Sequence, residues 1–174
     1  VSLDGPNPES HEFLRGPGTF PKTLEGIDRL IHHGAAERLV LVTTLHRRLT
    51  MEGARSLIEM AALREIGRIR FLPLNRIGEA ADHWEEIAPA PGELERLIRW
   101  LVLEGQEAAP SGRPRVDAGF PGFVPELDPE GGSWCPLGRS LTVDSQGNVY
   151  NCPIYNAPEF RIGGVNDSSL VEML

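Results

Sequence analysis

The chain of 174 residues has little cysteine: only Cys135 and Cys152. A disulfide scaffold needs far more, so that class is excluded. The pair leaves open two reduced thiols, one disulfide, or half of a metal site. Long apolar runs are also missing. They stop at about five residues, whereas a membrane span needs about 20. Net positive charge is absent too. The formal charge is -8, which excludes a broad phosphate-binding face, so no nucleic-acid partner is expected. Val1-Ser2-Leu3-Asp4-Gly5 carries neither the basic region nor the apolar stretch of a secretory signal. A cytoplasmic location is expected. There is no initiator Met. The chain starts inside what reads as a strand and stops inside what reads as a helix. The expectation is a piece of a longer protein.

What is present is an α/β pattern. Residues 1–3 read as the end of a strand, broken by Gly5, Pro6 and Pro8. Phe20, Leu24, Ile27, Leu30 and Ile31 recur at helical spacing, which predicts a helix over residues 19–33. Leu39-Val40-Leu41-Val42-Thr43-Thr44 is a continuous β-branched run, as in a strand of a parallel sheet. Thr50 is a candidate N-cap for the next helix, with Ala54, Leu57, Ile58, Ala61 and Leu63 on its buried stripe. Ile69 to Leu74 reads as a strand with Pro73 at its end. Pro91 opens a third helix. This order predicts a parallel sheet or barrel over residues 1–107. Proline and glycine crowd residues 108–133, which read as a connection with one short strand near Val116. Residues 134–174 read as a smaller unit. Short strands end at Val143 and Tyr150 and flank a hairpin turn with Gly147 at the position needing positive φ. Asp167 or Ser168 would cap a last helix.

Cys135 precedes that hairpin and Cys152 follows it. A hairpin brings its ends together, so the thiols can approach each other. Thiolates suit zinc or an iron–sulfur cluster, but two ligands do not close a site. No serine–histidine–aspartate or paired-carboxylate constellation is readable. The five histidines do not converge in the sequence. His46, beside Arg47 and Arg48, reads as part of a solvated loop. Asp4, followed by Gly5 and Pro6, reads first as a turn former, with orienting the loop or bonding a ligand as the alternative.

Taken together, the two halves resemble one family. Ser2-Leu3-Asp4-Gly5-Pro6, with His11, Arg15 and Gly18-Thr19-Phe20, is similar to the third barrel strand and following loop of radical S-adenosylmethionine enzymes. Cys135, Gly147 and Cys152 are similar in spacing to the opening of the SPASM or twitch extension in that family. Arg161-Ile162-Gly163-Gly164-Val165 is similar to the stretch that follows. The resemblance covers essentially the whole chain.

The resemblance implies a partial TIM-like (βα) barrel and then the start of a SPASM- or twitch-like auxiliary cluster domain. It implies S-adenosylmethionine as cofactor, held by Ser2, Arg15, Thr43 and Leu74, with Thr44 and Asn75 at the same strand ends. Active sites of parallel barrels lie at those ends. It implies an auxiliary iron–sulfur cluster on Cys135 and Cys152. The catalytic [4Fe–4S] cluster would take its ligands from a three-cysteine loop that this sequence does not contain, so the chain alone is expected to be inactive. The implied partners are a peptide, protein or small-molecule substrate and an electron donor such as flavodoxin or ferredoxin. In sulfatase-maturating members an Asp follows the cysteine that aligns with Cys152. Here Pro153 stands there, which argues against that substrate class. The rival reading is a non-catalytic α/β binding module whose thiols hold a structural metal or nothing.

Overall fold

Alternating apolar runs and amphipathic helices build the first unit of the computed structural model, which describes residues 1–109, 112–118, 141–167, 169, 171 and 173. The chain divides into two units, Val1–Gly132 and Ser133–Leu174. In the first, α1 (Pro8–Arg15) and α2 (Thr19–His32) precede β1 (Val40–Leu45) and α3 (Met51–Leu63). Then come β2 (Arg68–Pro73), the short α4 (Glu79–Asp82) and α5 (Trp84–Ile87), α6 (Pro91–Leu103) and β3 (Arg115–Asp117). The local signals are ordinary ones. Asn7 accepts from the Ser10 N–H and Pro8 takes the first turn of α1. The Thr50 hydroxyl accepts from the Gly53 N–H at 3.0 Å to cap α3.

The sheet is parallel, in the order β1-β2-β3. Residues 1–3 extend it beyond β1: Ser2 pairs in parallel with Val42. The Leu3 N–H donates to the Val42 carbonyl at 2.9 Å, and the Val42 N–H donates to the Val1 carbonyl at 2.9 Å. Order in space therefore follows order in the chain. Consecutive parallel strands with right-handed crossovers place their helices on one side. The burial pattern agrees. Leu41, Thr43 and Leu45 of β1 and Ile69 and Phe71 of β2 are buried. The apolar ones share a core with Ile27, Leu57, Ile58, Ile98 and Leu101 from α2, α3 and α6. Leu63, expected on the buried stripe of α3, is exposed instead: it falls two residues after Ala61, off the i+3/i+4 spacing of that stripe. Residues of opposite parity, such as Val42, Thr44, Arg70 and Leu72, are only half-buried. On that second face Ser2, Val42, Arg70 and Asp117 stand in one cross-strand row. Arg70 Nε donates to Asp117 Oδ2 at 2.9 Å along it. Gly67 marks a close approach of chain: a Cβ there would lie 1.9 Å from the Glu37 carbonyl oxygen.

The second unit contains an antiparallel sheet, β4 (Thr142–Val143), β5 (Asn148–Tyr150) and β6 (Arg161–Gly164). Asp144 Oδ1 builds the turn between β4 and β5, accepting from the N–H groups of Gln146 at 2.8 Å and Asn148 at 2.9 Å. Gly147 follows with φ +83°. The Asn148 side-chain amide and the turn N–H groups hold the Asp144 carboxyl below its ordinary range. Val149 and Tyr150 are buried. Cys152 lies just past β5, half-exposed, as a free thiol. Cys135 and Ser168 lie outside the described residues.

Candidate functional site

Asp4 sits where the N-terminal segment leaves the sheet, and it is fully buried. Each of its polar atoms has a partner. Its N–H donates to His11 Nδ1 at 3.0 Å. Its carbonyl accepts from His46 Nε2 at 2.7 Å. Oδ1 accepts from the Thr44 N–H at 2.7 Å, and Oδ2 accepts from Arg15 Nε at 2.5 Å. Gly5 permits the tight fold-back: a Cβ there would lie 2.3 Å from the Ser10 Cβ. This corrects two expectations. Asp4 is a buried junction rather than a simple turn former, and His46 is buried rather than solvated.

Both histidines are neutral by geometry. His11 Nδ1 accepts from a backbone N–H, so the ring proton is on Nε2, which faces the Thr23 hydroxyl at 3.4 Å. His46 Nδ1 accepts from the Arg48 N–H at 3.2 Å, so its proton is on Nε2 and goes to Asp4. Burial pushes both imidazoles below the ordinary histidine value, against the pull of Asp4.

Arg15, at the end of α1, spans two environments. Its Nε reaches the buried Asp4 carboxylate, while its side chain is 42% exposed. The exposed part enters a cavity of about 370 Å³ at the C-terminal ends of β1 and β2. Phe13, Thr44, Leu74, Glu79 and His83 line it with Arg15. The lining combines a cation, a threonine at a strand end, apolar side chains, an imidazole, and two carboxylates, Glu79 and Glu86. That set suits a small ligand with a carboxylate and an apolar or aromatic body.

Of the residues expected to hold a cofactor, Arg15 and Leu74 line this cavity. Thr43 does not. Its side chain is buried, on the parity that packs against the helices, and its hydroxyl donates to the Leu3 carbonyl at 2.8 Å. Thr44, one residue on, has the opposite parity and lines the cavity. Ser2 lies on the Thr44 side of the sheet, in the row beside Val42. Asn75 is exposed. Cys152 belongs to the second unit, beside Tyr155, Phe160 and Arg161. Among the described residues, no three His, Cys, Asp or Glu side chains group to hold a metal. The convergence of His11 and His46 on Asp4 escaped the sequence reading. One local signal existed: His11 and Arg15 are spaced i, i+4 on α1 and so share a face.

No family model matches the chain. It is 30% identical over 175 residues to mycofactocin maturase MftC of Mycobacterium ulcerans, covering 95% of this chain and 43% of that protein. It is 33% identical over 114 residues to the AdoMet-dependent heme synthase of Methanosarcina barkeri, covering 62% of this chain and 30% of that protein. The chain is related to the radical S-adenosylmethionine enzymes. A solved structure of that fold, histidine-tagged anSMEcpe with bound AdoMet, superposes with a TM-score of 0.68 at 18% identity. The match covers 99% of this chain and 49% of that one. The chain thus spans less than half the length of these radical S-adenosylmethionine relatives. No described helix is long and apolar enough to cross a membrane.

Proposed function

We propose that this chain supplies part of the S-adenosylmethionine site of a radical enzyme that modifies a peptide or protein. The observation that carries the reading is the cavity at the strand ends, where Arg15, Thr44 and Leu74 meet. Arg15 takes the methionyl carboxylate, a role that suits a planar, always-charged group. Thr44, rather than Thr43, offers its hydroxyl to the ribose. Leu74 packs against the adenine, and Ser2 adds a hydroxyl on the same sheet face. The first unit is then part of a TIM-like barrel.

Held there by Arg15, Thr44, Leu74 and Ser2, S-adenosylmethionine would supply radical hydrogen-abstraction chemistry on one-electron reduction through the family's [4Fe–4S] cluster, with methionine as the leaving group. The described residues contain no ligand set for that cluster. What they do is bind, orient and shield the nucleoside. The hairpin unit is the start of a SPASM- or twitch-like domain, with Cys135 and Cys152 contributing to an auxiliary cluster. A flavodoxin or ferredoxin would deliver electrons, in the cytoplasm. The maturase among the relatives supports a peptide substrate, and Pro153 argues against sulfatase maturation. The test is anaerobic reconstitution of the full-length protein with iron and sulfide, then reduction with S-adenosylmethionine present. A brown protein that releases 5′-deoxyadenosine is expected. A colourless protein that releases none would overturn the reading.

A further inference from the structure

We propose that Asp4 is a positioning residue for Arg15, and that His11 and His46 hold Asp4 in place so that Arg15 meets a ligand carboxylate. This deepens the proposed S-adenosylmethionine site and rests on it. An arginine at a helix end has many rotamers, and ordering it on binding costs affinity. Here the ordering is done beforehand. Arg15 donates to Asp4 through Nε, which leaves both terminal nitrogens without a protein partner among the described residues. Those nitrogens are the fork that takes a carboxylate from two sides.

For this to work, Asp4 itself must not move. Its carboxylate is fully buried, and its other oxygen is tied to the Thr44 N–H of β1. Its main chain is gripped from two elements. His11 on α1 takes the N–H, and His46, just past β1, gives its Nε2 proton to the carbonyl. One face of α1 therefore holds Asp4 twice, through His11 and through Arg15 one turn later. Thr44 joins the junction to the cavity directly: its N–H fixes Asp4, and the residue lines the same cavity as Arg15. The arrangement has no loose member, since no buried side-chain polar atom among the described residues lacks a partner. A fully buried carboxylate is costly unless satisfied in this way.

The test compares two ligands that differ only in the carboxylate: S-adenosylmethionine and decarboxylated S-adenosylmethionine. Equilibrium affinities are measured on the full-length protein, reconstituted with iron and sulfide, as wild type, Asp4→Asn and Arg15→Lys. In Asp4→Asn the amide keeps an oxygen for Thr44 but turns an N–H donor towards Arg15 Nε. The wild type should prefer the carboxylated ligand. Both variants should lose that preference by about tenfold or more, the range for a hydrogen bond to a charged group. Affinity for the decarboxylated ligand should stay unchanged. An equal loss for both ligands in Asp4→Asn would assign Asp4 a merely structural role and overturn the proposal. An unchanged preference in either folded variant would also overturn it. If Asp4→Asn does not fold, Asp4→Glu takes its place: it keeps the charge but displaces the carboxylate that Arg15 Nε meets, so it should lose the preference, and an unchanged preference would overturn the proposal. A wild type that binds neither nucleoside overturns the radical-enzyme reading itself. One that binds both equally overturns only the positioning role.

Discussion

Asp4 and Arg15 form an ion pair of unequal burial: the carboxylate is wholly enclosed, while the arginine side chain is 42% exposed. Removing the arginine therefore strands the acid rather than the base. Arg15→Met should cost about 1–3 kcal/mol, the range for a buried acceptor left without its partner. Arg29→Met is the contrast, because its ion pair with Glu25 is exposed on both sides and surface pairs contribute little. Urea midpoints of the two variants measure the difference. Equal midpoints would contradict the burial argument.

The two buried histidines give stability a pH slope of defined sign. Their folded values lie below the ordinary 6.5 because burial disfavours the charged ring. The unfolded chain thus binds more protons on acidification. Stability from the neutral rings is whole above about pH 6.5 and is lost as pH falls towards the lowered folded values. Protonating His11 would also set an N–H on Nδ1 against the Asp4 N–H. The groups around the rings are Asp4, Arg15 and Glu12 for His11, and Asp4, Arg48 and His11 itself for His46. The urea midpoint should drop between about pH 7 and pH 5, and the His11→Asn, His46→Gln double variant should flatten that drop. A slope that survives the double variant in full places the titration elsewhere.

Thr43 and Thr44 are adjacent and should behave oppositely. Thr43→Val removes a buried hydrogen bond to the Leu3 carbonyl, so it should lower stability by about 1 kcal/mol and leave ligand affinity unchanged. Thr44→Val keeps the backbone bond to Asp4 and takes a hydroxyl from the cavity, so it should weaken nucleoside binding with little effect on stability. Paired melting and binding measurements separate the two. The reverse assignment would mean that the ligand lies on the helix side of the sheet.

Changing Cys135 and Cys152 together to Ala should lower the iron bound by the reconstituted full-length protein by about one cluster. Iron content equal to wild type would remove both residues from cluster ligation.

Much of the fold was legible because periodicity and punctuation agreed. The stripe from Phe20 to Ile31, the Thr50 cap, Pro73 at a strand end and Pro91 at a helix start all mark elements that the structure contains. β6 was not legible, since Arg161-Ile162-Gly163-Gly164 shows neither alternation nor strong strand propensity. Arg15 and Leu74 entered through the resemblance and do line the cavity. The choice between Thr43 and Thr44 could not be read. A strand's two faces differ by one residue, and an unbroken β-branched run hides which parity is inside. The Asp4 junction was hidden by distance: His46 meets Asp4 across 42 residues of sequence. Only the i, i+4 spacing of His11 and Arg15 hinted at it.

The most direct measurement is a crystal structure of the full-length protein with S-adenosylmethionine bound. The methionyl carboxylate should lie on the terminal nitrogens of Arg15, with the nucleoside against Thr44 and Leu74 and the Asp4 junction unchanged. A ligand seated away from these residues, with Arg15 still facing an open cavity, would contradict that placement.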